Sequence, residues 1–358
     1  MSNNNDVKID DIYIDASNPF FCIYDCIYPA KDFTKIDLPK KTYYLEPIVS
    51  DAQIILITGW RGVGKSWFGL SLCDSISRGI PFGPWKARES AHCLYLDGEM
   101  AAQDTQRRIL DLNPNQKREQ DLFVYSDALT TQEGYPKANL LNKDWRDFMK
   151  NFLEAFEFKV FVIDNIASLT GGIDENCKKD WDPINQWLIT LRFSGITSIL
   201  LHHTNKDGGQ RGTSAREDNI DLSIILKKPP NSGPENGADF IVSFSKSRVP
   251  YEYLKYMQDT RFTLGKDEQG QTIWTFGASK AEVKKEIVWL LTQGKTYDEI
   301  HDDLKIAKGR ITSVKKWAVE NGILTNDCKL TSEGWNFVDK VREKINCDEH
   351  EQNMNGSE

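Results

Sequence analysis

Cysteine is sparse and scattered in this chain of 358 residues. There are seven (Cys22, Cys26, Cys73, Cys93, Cys177, Cys328 and Cys347), an odd number with no CxxC pair. That pattern argues against a disulfide framework and a structural zinc site, and it suits reduced thiols in a cytoplasm. No apolar run approaches the roughly 18 residues of a membrane helix. The N-terminus, MSNNNDVKIDD, has neither a basic n-region nor an apolar h-region. Membrane spanning and secretion are therefore not expected. Positive charge is not in excess either: 45 Lys and Arg against 53 Asp and Glu leave a net charge of −8. Any contact with nucleic acid must then use local patches. Internal repeats are also missing. What is present is a globular composition, 39 % apolar and 27 % charged, in a chain long enough for about two domains at roughly 150 residues each.

Residues 1–45 mix polar and aromatic side chains without a clear period, and NPF and YPA turns break them, so an N-terminal arm is expected. From Ile54 the pattern changes. IILIT (54–58), CLYLD (93–97), LFVYS (122–126), VFVID (160–164) and SILLHH (198–203) are short, nearly continuous apolar runs. Helical stretches over Lys65–Arg78, Gln103–Leu112, Asp144–Phe156 and Pro183–Phe193 separate them. Strands buried on both faces and alternating with helices predict a parallel α/β sheet. After His203, DLSIIL (221–226), ADFIVSFSKS (238–247) and two runs flanking KDEQGQ (266–271) predict antiparallel strands added to one edge, and KKPPNSGPENG between the first pair is a loop. This core is expected to span 46–278.

The most specific segment is GWRGVGKS (59–66), a GxxxxGK[ST] match between a strand and a helix. Gly59, Gly62 and Gly64 let backbone N–H groups and the helix N-terminus wrap phosphates. Lys65 is expected to reach the β- and γ-phosphates of ATP and Ser66 to ligate Mg²⁺, with Val63 and Trp67 completing the nucleotide contacts. Asp164, ending VFVID, suits a Walker B carboxylate that holds Mg²⁺ through water, or else a helix cap. LDGEM (96–100) offers Asp97 and Glu99 as the water-orienting base, and Glu99, beyond the strand end, is preferred. Of the adjacent pair His202 and His203, only one can point at a γ-phosphate.

Two positive elements follow. KDGGQRGTSARED (206–218) carries Lys206, Arg211 and Arg216 in a glycine-rich loop that either tracks a phosphate backbone or is simply solvated. FSKSR (244–248) alternates, which puts Lys246 and Arg248 on one strand face, where they either reach a neighbouring subunit's ATP or form an exposed strand end. Residues 279–346 then read as three helices and a hairpin, GILTNDCKLTSEGWNFV, a winged helix-turn-helix outline. In it KIAKGRITSVKKW (305–317) holds Lys305, Lys308, Arg310, Lys315 and Lys316 and no acid, which fits DNA contact, although winged helices also bind proteins. Residues 347–358 are a polar tail.

With GWRGVGKS, LYLDGEM, VFVIDN, LLHHTNK, RGTSAREDN and SKSR in order over roughly residues 40–277, the chain resembles the RecA-like hexameric ATPases. Within them it is most similar to plasmid replicative helicases of the RepA type, and more loosely to DnaB-type helicases. The resemblance implies a RecA-like P-loop core, Glu99 as catalytic base, His203 as γ-phosphate sensor, and Lys246 and Arg248 completing the neighbour's site. It also implies that loops 168–182 and 204–217 hold single-stranded DNA in the channel of a homo-oligomeric, usually six-membered ring, with replication proteins as further partners. The winged helix and the bulky Trp60 and Arg61 depart from the minimal plasmid helicase. The expected function is an ATP-hydrolysing ring motor on DNA, a replicative helicase. The alternative is an ATP-gated DNA-binding regulator or loader, and a P-loop kinase is a third, weaker reading.

Overall fold

The computed structural model describes residues 21–171, 178–204, 219–229, 238–278, 280–304 and 306–338. The chain divides into two units between Lys41 and Thr42. In the first, a 3₁₀ turn, Phe21–Cys26, precedes a single helical turn, Ala30–Phe33, started by Pro29.

The second unit opens with strands β1 (Tyr43–Glu46) and β2 (Val49–Ser50), which join the later β4 (Lys86–Ala87) in a three-stranded sheet. The sequence reading assigned β1 to the arm. Its pairing partners stand elsewhere in the chain, so nothing local marked it. The main sheet has nine strands: β3 (Ile54–Gly59), β5 (Cys93–Asp97), β6 (Leu122–Ser126), β7 (Val160–Asp164), β8 (Thr197–His203), β9 (Leu222–Lys227), β10 (Asp239–Ser247), β11 (Thr260–Lys266) and β12 (Thr272–Ala278). Their spatial order is β12-β11-β10-β9-β3-β8-β7-β5-β6.

Side chains alternate across this sheet. Ile55, Ile57, Val160, Val162, Ile199 and Leu201 join a core with Phe68, Phe82, Trp85, Phe240 and Phe262 on one face. Ile54, Leu56, Phe161, Ile163 and Leu200 join Met149, Leu153, Trp187 and Leu191 on the other. Helices Lys65–Arg78 and Ala102–Leu112 serve the first face, and helices Lys143–Ala155 and Lys178–Phe193 the second. Strands covered on both sides have no polar face to spare, which is why they read as unbroken apolar runs.

Two expectations about the sheet need correction. Strand β9 runs parallel to β3, so the antiparallel addition begins only at β10. Strands β8 and β9 flank β3 on opposite sides. At the far edge β6 has only one neighbour and leaves Phe123 and Val124 exposed, so it is not buried on both faces.

Beyond β12, helices Lys280–Thr292, Tyr297–Leu304 and Lys308–Glu320 enclose a separate apolar cluster built on Ile287, Val288, Ile300, Ile311, Val314 and Ala318. A capping box starts the middle helix. The Glu299 carboxylate accepts the Thr296 N–H at 2.7 Å, and the Glu299 N–H donates to the Thr296 hydroxyl at 3.3 Å. The expected hairpin is reduced to one bridge, Leu324 to Leu330, and residues 332–338 are helical. Thr331 accounts for the difference: its hydroxyl accepts the Gly334 N–H at 3.0 Å and caps a helix where a second strand was expected. Lys305, Ser279 and the tail from Cys347 lie outside the described residues.

Candidate functional site

Parallel strands carry their C-terminal ends to one side of the sheet, and the chemically distinctive residues gather there. The register sets Gly59 of β3 beside His203 of β8, and Asp97 of β5 beside Asp164 of β7. The loop after β3 turns sharply into helix Lys65–Arg78. Gly62 has φ +75° and Gly64 φ +112°, conformations that disfavour any side chain. A Cβ on Gly64 would also lie 2.8 Å from the Ala238 Cβ. Val63 is buried beneath the loop, whereas Trp60 and Arg61 are exposed.

Lys65 is 5 % exposed, and its ammonium donates to the carbonyls of Gly59 at 2.9 Å and Trp60 at 3.1 Å. Burial pulls its pKa down to about 8, against the opposing pull of Asp164 and Glu99. Asp164 shows the converse. Burial raises its pKa above the ordinary aspartate value, hydrogen bonds from Ser66 and Tyr95 hold it down, and Asp97 and Glu99 push it up further. The Tyr95 hydroxyl donates to Asp164 at 2.5 Å. A buried carboxylate hydrogen-bonded to the P-loop serine, next to two more carboxylates, fits a divalent cation held by Ser66 and Asp164. Phosphates would lie against the N–H groups of Gly62, Gly64 and Lys65. Among the described residues no cluster of three His, Cys, Asp or Glu offers another metal site.

The two acids of LDGEM separate clearly. Asp97 is fully buried and accepts the N–H groups of Glu99 at 3.1 Å and Met100 at 2.9 Å, together with the Thr105 hydroxyl. It shapes the turn that aims Glu99. Removing it strands three donors, so Asp97→Ala is expected to lower unfolding free energy by about 3 kcal/mol. Denaturant titration checks this, and a change under about 0.5 kcal/mol would contradict the structural role.

Glu99 is half exposed and its Oε2 accepts from the side-chain amide of Asn165. The same amide nitrogen lies 3.1 Å from His203 Nε2, and Glu99 Oε2 is 3.7 Å from that atom. Asn165 is itself fixed, because its Oδ1 accepts the Ser168 N–H at 3.0 Å as the cap of a short helix, Ile166–Leu169. With Oδ1 committed, Nδ2 is the donor to both neighbours and His203 Nε2 is an acceptor. The imidazole is therefore neutral with its proton on Nδ1, and burial and the Lys65 charge lower its pKa in agreement. Of the histidine pair, His203 thus faces the P-loop end and Glu99, while His202 is buried in the strand. The sequence reading gave Asn165 no role. Its only signal was an Asn directly after a strand-terminal Asp.

Other expected residues lie apart. Trp67 packs on the core with the Arg108 guanidinium 5.0 Å over its ring, so it stands on the helix and outside the phosphate loop. Lys246 lies on β10 and Arg248 directly follows its last residue, Ser247. A register shift falls between Phe244 and Lys246. Ser247 pairs with Leu222, which pairs with Ile55 near the start of β3, so Arg248 stands at the opposite end of the sheet from its own P-loop. There its guanidinium meets Asp221 Oδ1 at 3.0 Å, while Arg192 holds Oδ2 at 2.6 Å. Lys206, Arg211 and Arg216 lie outside the described residues. On helix Lys308–Glu320, Lys308 pairs with Asp298 and Lys316 with Glu320 at 3.8 Å, acids beyond the basic segment that the sequence reading did not weigh. A hydrogen bond to Cys328 raises the Lys315 pKa above the ordinary lysine value, and Arg310 is exposed.

Residues 28–209, half of the chain and including the whole phosphate loop, match the AAA domain family. The chain belongs to the AAA domain family. Family and sheet order together support a RecA-like P-loop ATPase core. No curated protein matches the chain in sequence. Among solved structures, a KaiC-like protein of the hyperthermophilic archaeon Pyrococcus horikoshii is similar at TM-score 0.45 and 15 % identity, over 65 % of this chain and 93 % of that one. No described helix of the AAA domain protein is long and apolar enough to cross a membrane.

Proposed function

We propose that this AAA domain protein is an ATP-hydrolysing, ring-forming RecA-like motor on DNA, acting as a helicase in replication. One observation carries the reading. Glu99, a half-exposed carboxylate, is held by Asn165 against His203 at the mouth of a P-loop whose Lys65 and Asp164 are buried. Glu99 orients and deprotonates the attacking water, and Lys65 neutralises charge on the transferred phosphoryl group. ATP is the substrate whose terminal phosphate bond is cleaved, and Ser66 and Asp164 would hold Mg²⁺, which would offset phosphate charge. His203 accepts from Asn165 through Nε2, so contact with a phosphate oxygen through that atom requires Asn165 to let go and Nε2 to take up a proton. That release frees Glu99 at the same moment and couples sensing to the base. Arg248, remote from its own P-loop, serves the adjoining subunit's nucleotide.

Light scattering with and without ATP-Mg²⁺, alongside ATPase rates with and without single-stranded DNA, tests the proposal. A mass of roughly six subunits of 41.0 kDa with DNA-stimulated turnover is expected. A monomer or dimer whose turnover ignores DNA overturns it. A DNA-stimulated ring that separates no strands replaces the helicase with an ATP-gated regulator or loader.

A further inference from the structure

Away from the P-loop, a groove runs between helices Lys280–Thr292 and Lys308–Glu320, lined by Lys284, Arg310, Ser313, Val314 and Trp317. No carboxylate is among these lining residues. Trp317 is partly buried, its ring 5.5 Å from that of Phe337, which fixes the indole plane in the groove wall. The Lys284 ammonium lies 4.0 Å over the indole. Arg310 and Ser313 are exposed on the turns of the same helix that precede Trp317.

We propose that this groove binds one nucleobase and its flanking phosphate from a single strand of nucleic acid. Trp317 is the stacking surface, and Lys284 and Arg310 are the phosphate ligands. The inference rests on the reading that the C-terminal helices meet nucleic acid, and it narrows that reading from duplex to single strand. A cation over an aromatic face is a weak, solvent-screened contact on a flexible stem. A phosphate entering the groove draws Lys284 off the indole and, in the same movement, uncovers the ring for a base. An indole in a groove wall recognises the face of a base, and a base offers its face only when unstacked from a duplex. Charge complementarity points the same way, with two cations against a polyanion.

Fluorescence anisotropy on the full chain, without nucleotide, tests this with a labelled oligothymidylate, an abasic strand of equal length and a duplex. Oligothymidylate is expected to bind about tenfold or more tightly than the abasic strand. Trp317→Leu should erase that preference and leave abasic binding unchanged. Lys284→Gln and Arg310→Gln alter side chains at the groove rim and spare the apolar cluster. Each should weaken both strands and reduce the salt slope by about one. A base preference that survives Trp317→Leu, rim variants that bind as wild type, or tighter binding of the duplex would each overturn the proposal. ATP turnover of the same wild-type preparation separates the two readings. No turnover with an intact, Trp317-dependent base preference removes the motor and leaves the groove.

Discussion

Arg248→Ala is expected to leave nucleotide binding nearly intact and to cut ATP turnover about a thousandfold or more. The size follows from the role of a cation delivered across a subunit boundary, and the location follows from register. Ser247 lies two strands over from Ile55, at the N-terminal end of the P-loop strand. One strand length therefore separates Arg248 from its own phosphate loop. Loss of fold is not a competing explanation. The Arg248 side chain is 54 % exposed, and Asp221 keeps Arg192 when Arg248 is removed, so stability should change by less than about 1 kcal/mol. Mixing is the decisive measurement. Glu99→Gln protein lacks the base but keeps its own Arg248, and Arg248→Ala protein lacks the cation but keeps Glu99. Mixed assemblies contain some intact sites and should regain part of the turnover. Two inactive variants that stay inactive when mixed would show that sites are not shared.

Lys65→Met should abolish turnover and, in the protein free of nucleotide and metal, should stabilise the fold. The two effects share a cause. The side chain is buried at a place prepared for phosphate charge, and its pKa is pulled from 10.5 to about 8 by burial. A depressed lysine pKa means that the unfolded chain binds more protons between those values. The folded state is therefore penalised fully below pH 8, and the penalty fades as pH rises to the unfolded value. Methionine has similar length and no charge, so it removes a penalty on the order of 3 kcal/mol at neutral pH and nothing above about pH 10.5. Thermal melts in chelator at pH 7 and pH 10 read this directly. A variant that melts below wild type at pH 7, or gains equally at both, would contradict it. Adding ATP-Mg²⁺ should raise the melting temperature of wild type and move the variant far less.

Much of the fold was legible because its signals are local. Apolar runs marked β3, β5, β7 and β8 to within a residue or two, and glycines at 62 and 64 stand where the turn demands positive φ. Elsewhere the local signal misled. A capping threonine at 331 turned an expected strand into a helix. The acids paired with Lys308 and Lys316 come from outside the basic stretch, so counting charge within it overstated the free positive surface.

The sequence by itself determined the β/α alternation, the phosphate loop and the candidate acids, since each is set by side-chain period, backbone freedom or charge within a few consecutive residues. Only the tertiary structure decided that Asp97 is a turn-former and Glu99 the half-exposed carboxylate at the P-loop. It alone showed that Asn165 ties Glu99 to His203, and that β9 runs parallel to β3. Those facts depend on which strands become neighbours and in what register. That choice is made by burying two apolar faces at once across residues distant in the chain, and no window of sequence contains it.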